Sequence, residues 1–361
     1  MKKKPTIVGI DGGATKISGG IVKQINETTF SLDGVIKTLT YSESTLNNRN
    51  FQPVDLGRQL SEKDNLKLRI EEEKQGLAIL ESCESVITEL AKTNNLNKPM
   101  VGIGMPGLKS PEQRGIIVTK NGPRVPRFLD VLEHRLRLTG LKFNPIHRLG
   151  NDNDYCGLGE LYGAHGSFRG VENAIYIGSG TGIADAMMLN GTLISFDNIG
   201  TWMPKSWQMT NKDEIPIEKI ISHKGMMMQY SEKTGTSFQQ LEEDEIYPEQ
   251  FIGTDDANNI RTKFVTTLAW LIFQRVEKLH IKKPNTIFNK IILGLRLAKL
   301  IEKIPELFDE IKLSINKQIA NSHLLNHTVK NHYSQNRIIF LSELPHAPII
   351  GAGVSAYQDA E

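Results

Sequence analysis

The chain has 361 residues, room for two domains of ordinary size and a large buried core. Its 43 basic and 41 acidic side chains nearly cancel, and 39% hydrophobic with 23% charged residues is an average globular composition, which argues against nucleic acid as the main partner. Two cysteines, Cys83 and Cys156, are too few for a disulfide scaffold or a thiolate zinc site, and no stretch approaches the ~20 apolar residues of a membrane span, so a soluble, cytoplasmic protein is expected.

Lys2, Lys3 and Lys4 resemble the basic start of a signal peptide, but Asp11 and the glycines around it interrupt any apolar run that would follow. Residues 6–10 form a short apolar run rich in β-branched side chains, followed by Asp11-Gly12-Gly13 and a second strand-like segment at 17–22. This pattern predicts a hairpin with a glycine turn. A third strand is expected over 30–39. Residues 41–68 are polar, with Asn47, Asn48 and Asn50 close together, and read as a long surface loop or insertion. Helical spacing of Leu77, Leu80, Val86, Ile87 and Leu90 predicts an amphipathic helix over 71–91. A buried strand at 101–105 ends in Pro106-Gly107, a helix follows at 127–138, and a strand at 145–149 leads into Asn151-Asp152-Asn153-Asp154 and a helix to about 162.

The same plan then returns. Residues 174–177 read as a strand, 178–182 as a glycine-rich turn, 183–189 as a strand, and Asn190-Gly191 as a hairpin turn into 192–194. IVGIDGGATKISGGIV and AIYIGSGTGIADAMML are thus two copies of strand, glycine turn, strand, which suggests an internal duplication. Farther on, helices are expected over 260–279, 295–304 and 347–357, and strands over 290–294 and 337–341.

Two glycine turns leaving strands suit a nucleotide triphosphate, because small residues let backbone N–H groups close on phosphate oxygens. Asp11 is placed to act on a hydrated Mg²⁺, and Thr15 and Lys16 to offer a hydroxyl and a cation to the same phosphates. Either turn alone is also what an unliganded tight hairpin looks like; the repetition favours the ligand. Gly102, Gly104 and Gly107 spell GxGxxG, but Pro106 and Pro111 leave no helix start for a pyrophosphate, and no P-loop motif is present. The polar run at Asn151 fits helix capping as well as a catalytic base with an orienting amide. His323 and His327, four apart, would share a helix face without a wider zinc frame, and Trp202 and Trp207 fit either a sugar platform or packing.

The chain resembles the ROK family of sugar kinases, of the actin, hexokinase and Hsp70 fold group. GIDGGATK is similar to the family's DxGGTK loop, GIGMPG to its GIGxPG strand end, NDNDYCGLGE to its NDANAAALGE, and SGTGIADAMMLNG to its second phosphate loop; Leu293-Gly294 and APIIGAG match less well. The resemblance implies an α/β fold of two actin-like (ribonuclease H-like) domains with an active-site cleft between them: residues 1–150 with a terminal helix, 346–361, packing back on them, and residues 151–345. It implies ATP-dependent phosphorylation of a hexose, amino sugar or polyol, with Asp152 as the base. Asp11, Gly12, Gly13, Thr15, Lys16, Gly180, Thr181, Gly182 and Gly294 would bind ATP, Asp11 acting on Mg²⁺ through water. Pro106, Gly107, Asn121, Asn151 and Asp152 would bind the acceptor. The family's CxCGxxGCxE motif is absent, so no structural zinc is expected. A dimer is implied. ROK repressors carry an added helix-turn-helix, whereas this chain enters its first strand at about Thr6, so no nucleic-acid partner is expected. BadF-type ATPases and N-acetylglucosamine kinases share the first and second loops and form the nearest alternative, and a non-catalytic sugar- or nucleotide-binding protein of the same fold is the other.

Overall fold

The computed structural model describes residues 5–48, 51–334 and 337–360; Lys2, Lys3, Lys4 and Asn50 lie outside them. The chain divides into two compact units, Met1–Gly166 with His346–Glu361, and Ser167–Pro345. Unit 1 therefore runs past the boundary expected at residue 150, because the helix that follows belongs to its packing. Among the described residues no helix is long and apolar enough to cross a membrane.

Unit 1 is built on strands β1 (Ile7–Gly12), β2 (Lys16–Asn26), β3 (Thr29–Thr40), β4 (Met100–Met105) and β7 (Leu149–Asn151), with a small hairpin of β5 (Leu108–Lys109) and β6 (Ile116–Val118). The sheet order is β3-β2-β1-β4-β7. β1 and β4 are parallel and lie inside the sheet, and Ile7, Val8, Ile10, Val101 and Ile103 are all buried, as continuous apolar runs in a two-sided sheet should be. Helix α2 (Ile70–Thr93) buries Leu80, Val86, Ile87 and Leu90, and only Leu77 of the predicted stripe is notably exposed. α3 (Phe128–Leu138) buries Phe128, Leu129, Leu132 and Leu136 in the same core.

On the other face the carboxy-terminal helix Ala347–Gln358 crosses β1 and β4 at backbone distance. A Cβ on Gly9 would stand 1.9 Å from the carbonyl oxygen of Ile349, and one on Gly102 1.8 Å from that of Ala352. Only glycine allows this approach. α4 (Asp152–Tyr162) packs on the same helix, which holds it in unit 1.

Unit 2 repeats the arrangement. Strands β8 (Ala174–Ser179), β9 (Ile183–Leu189), β10 (Thr192–Ile194), β11 (Lys290–Leu295) and β12 (Ile339–Leu341) are ordered β10-β9-β8-β11-β12. β8 pairs antiparallel with β9 and parallel with β11, as β1 does with β2 and β4. The duplication read from the two glycine turns is thus a duplication of whole sheets. A buried polar knot ties unit 2 together: Arg275 donates to Asp185 (3.2 Å), Ser206 Oγ (2.8 Å) and the Pro204 carbonyl (2.6 Å), and the Ser206 N–H and hydroxyl both donate to Asp185 at 2.6 Å. The Arg275 and Asp185 charges face each other, which offsets part of the cost of burying them, while Arg275 Nε is left without a hydrogen-bond partner among the described residues.

Several expectations are corrected. The strand expected at 145–149 forms at Leu149–Asn151, where it can pair with β4. The segment 41–68 is not wholly irregular, since α1 (Leu56–Glu62) lies inside it, capped by Asp55 accepting from the Arg58 N–H. His323 and His327 do not share a helix: one helix ends at Asn321 and the next begins at His327.

Candidate active site

In unit 1 the carboxyl ends of three parallel strands converge. Asp11 on β1 lies across from Gly104 on β4, and Met105 across from Asn151 on β7, so the sequence distance between Asp11 and Asp152 collapses to two strand spacings. Such strand ends are where open α/β sheets place their ligands. The Asp11-Gly12-Gly13 turn is held from below: the Tyr41 hydroxyl donates to the Gly13 carbonyl (2.7 Å), the Gly13 N–H to the Lys16 carbonyl (2.9 Å), and the Tyr41 N–H to the Thr15 carbonyl (2.9 Å). Thr15 and Lys16 are exposed beside it.

Asp11 keeps part of its surface open to solvent yet is crowded by protein atoms on most sides. That desolvation, with the Asp152 carboxylate nearby and only partly offset by Lys16, pushes its carboxyl up to about 7. Asp152 itself opens α4, directly after the β7 strand.

Asn151 occupies the N-cap position of α4, but its side chain makes no capping hydrogen bond. It accepts instead from Lys109 Nζ at 2.9 Å, and the same ammonium donates to the carbonyls of Met105 (2.8 Å) and Gly107 (2.7 Å). Lys109 thereby fixes the Pro106-Gly107 turn and the Asn151 amide together. Gly107 has φ +100°, and a Cβ there would meet the Val118 carbonyl oxygen at 2.5 Å, so the turn lies flat on the end of β6, from which a loop leads on through Thr119. Asn121 is exposed on that loop, whereas Arg124 at its far end is buried.

In unit 2 the Gly180-Thr181-Gly182 turn closes on itself, with the Gly180 N–H donating to the Gly182 carbonyl at 2.9 Å. Helix His223–Thr234 begins against it: the His223 N–H donates to the Gly180 carbonyl (3.0 Å) and to Ser179 Oγ (3.2 Å). Beside it, Arg296 Nη1 lies 2.9 Å from the ring nitrogens of His223, and Glu249 Oε2 lies 3.5 Å from His223 Nε2. Burial alone would raise the Glu249 carboxyl, but the His223 ring beside it, its own backbone N–H and the nearby Arg296 charge leave it below the usual range. Gly294 pairs with Gly178 and is packed under a ring: a Cβ there would stand 2.2 Å from the Tyr176 hydroxyl. Leu295, next in the chain, has φ +57° and ψ −137°, a region that glycine occupies far more readily.

The predicted residues thus fall into two groups. Asp11, Gly12, Gly13, Thr15, Lys16, Pro106, Gly107, Asn151 and Asp152 lie at one end of the unit 1 strands, with Asn121 apart on the loop after β6, and Gly180, Thr181, Gly182 and Gly294 lie near the ends of β8 and β11 in unit 2. Lys109, His223 and Arg296 were not picked out by sequence. Trp202 packs against the unit 2 core. Among the described residues no group of three or more His, Cys, Asp or Glu side chains gathers to hold a metal ion.

No family model matches the chain, and no curated protein matches it. Solved structures do. One is a ROK family glucokinase from Streptomyces griseus in complex with glucose and AMPPNP, with TM-score 0.63, 15% identity, 98% of this chain covered and 99% of that chain. A second is an inorganic polyphosphate/ATP-glucomannokinase from Arthrobacter sp. strain KM, with TM-score 0.56, 17% identity, and 98% and 99% coverage. A third is a ROK family transcriptional regulator, a homolog of the E. coli MLC protein, with TM-score 0.59, 14% identity, 99% of this chain and 79% of that chain. The chain has the actin-like α/β fold of these proteins, which kinases and a regulator share.

Proposed function

We propose that the protein transfers the γ-phosphoryl group of ATP to a hydroxyl of a hexose, amino sugar or polyol, with Asp152 as general base. The observation that carries this reading is the pair Asp11 and Asp152 at the converging strand ends, close enough that one carboxylate raises the other. Two like charges this crowded are unfavourable unless a cation or a proton relieves one of them.

Asp152 accepts the proton as the acceptor oxygen forms its bond to the γ-phosphorus and the bond from that phosphorus to the ADP oxygen breaks. Asn151, its amide oxygen committed to Lys109, donates through Nδ2 to the acceptor. Asn121 reaches the acceptor from the loop after β6. The carboxylate chemistry at Asp11 fits a hydrated Mg²⁺, which needs one or two carboxylates besides nucleotide phosphates and waters. When bound, the ion would neutralise phosphate charge. Thr15, Lys16, Gly180, Thr181 and Gly182 hold phosphates, and Gly294 gives the nucleotide a surface without a side chain.

The test is ADP release from Mg²⁺-ATP against a panel of hexoses, acetylated amino sugars and inositols, with Asp152→Asn beside the wild type. Acceptor-dependent release that Asp152→Asn lowers by about 10³-fold is expected. Acceptor-independent hydrolysis would place the protein with the ATPases of this fold. Silence across the panel with measurable nucleotide binding would favour a binding protein, a reading that the regulator's shared fold keeps open.

A further inference from the structure

The loop at 119–124 carries Asn121 exposed at its tip, yet both of its ends are locked by side chains from a distant stretch of chain. At one end, the Gln59 amide takes both backbone groups of Thr119: the Thr119 N–H donates to Gln59 Oε1, and Gln59 Nε2 donates to the Thr119 carbonyl, each at 2.8 Å. Gln59 Nε2 also donates to the Val54 carbonyl at 2.7 Å. At the other end, the Arg124 guanidinium donates to Glu72 (2.9 and 2.7 Å), to Glu62 (2.8 Å) and to the Lys67 carbonyl (2.9 Å). Gln59 and Glu72 are fully buried, and Arg124 is 1% exposed.

The composition of α1 shows what this contact is for. A helix that only added stability would bury apolar side chains; the buried residue of α1 is Gln59. The attachment through Gln59 is polar and directional, made to the backbone at Thr119 and at Val54. Thr119, where the loop begins, lies with the end of β6 against the Gly107 turn, which Lys109 couples to Asn151, next to Asp152.

We infer that segment 54–67 is a buttress for the acceptor side of the site, with Gln59 and Glu62 as positioning residues that set where Asn121 meets the acceptor. This rests on the kinase reading above. It assigns the segment a part in acceptor recognition: changes in α1 should alter which acceptor is used, without touching nucleotide use.

The experiment compares wild type, Gln59→Met and Glu62→Gln. Gln59→Met keeps the side-chain length and removes both bonds to Thr119; Glu62→Gln, at a site less deeply buried, weakens the hold on Arg124 and serves where the first variant fails to fold. The readouts are KM for the acceptor, KM for ATP, and amide hydrogen exchange over 119–124. The inference expects acceptor KM to rise about tenfold or more, ATP KM to stay within about twofold, and the Thr119 amide to exchange about tenfold faster in Gln59→Met. Both KM values rising together, or faster exchange with acceptor KM unmoved, would overturn the buttress and leave the kinase reading standing. Absence of acceptor-dependent turnover in the wild type would instead sink the kinase reading, and this inference with it.

Discussion

Asp11, which the proposal sets beside Mg²⁺, has a titration that gives it a signature separable from catalysis. Its carboxyl goes from an ordinary value of 3.8 to about 7 in the folded protein. The folded state therefore holds a proton that the unfolded state has already released, and this group's contribution to stability falls as pH rises from about 4 to about 7. Asp11→Asn removes that loss. Thermal unfolding should show the variant melting several degrees above wild type at pH 8, with the gap closing toward pH 4, while ADP release falls at least about hundredfold. An unchanged gap across this range would mean that the fold does not raise the Asp11 carboxyl. The glycine turn beside it singled out Asp11 in the sequence, whereas the run at residues 151–154 fitted capping and catalysis alike and only the family resemblance pointed to Asp152. Lys109 and Arg296 were not legible there, since their roles come from Asn151 and His223, 42 and 73 residues away in the chain.

At the scale of elements, strands bounded by glycine were readable because both of their faces are apolar. α1 was hidden for the opposite reason: with Gln59 as its buried residue, it has no apolar stripe to show. Helix His223–Thr234 was missed similarly, as its buried residues His223, Gly225, Met226 and Met227 crowd into the first turns. The end of β11 is an element that runs against local preference. Leu295 takes a positive φ where the strand must turn into the following helix. Comparing Leu295→Gly with Leu295→Ala isolates that backbone cost, since both lose the leucine side chain. Urea unfolding should find the glycine variant more stable than the alanine variant by about 1–2 kcal/mol. The reverse order would show that the conformation carries no strain.

For the whole molecule, the repeated sheet order explains why two short motifs sufficed to announce the fold: each glycine turn marks the first hairpin of one copy. What the motifs did not mark is the return of the chain. The helix Ala347–Gln358 comes after unit 2 in sequence but covers Gly9 and Gly102 in the middle of unit 1. Truncation after Pro345 should leave that face bare, and the shortened protein should aggregate or lose its cooperative melt by circular dichroism. Residues 167–345, continuous in sequence, should fold when expressed alone. A soluble truncated chain with an unchanged melt would mean that the helix is an ornament.

That return also sets a timetable for synthesis. The first 166 residues leave the ribosome without their closing helix, and all of Ser167–Pro345 must be made before it arrives. At ~5–20 residues per second the wait is roughly 10 to 40 s. During it the second half of the protein can finish while the first half keeps an apolar sheet face uncovered, the interval in which a chaperone would have most to hold.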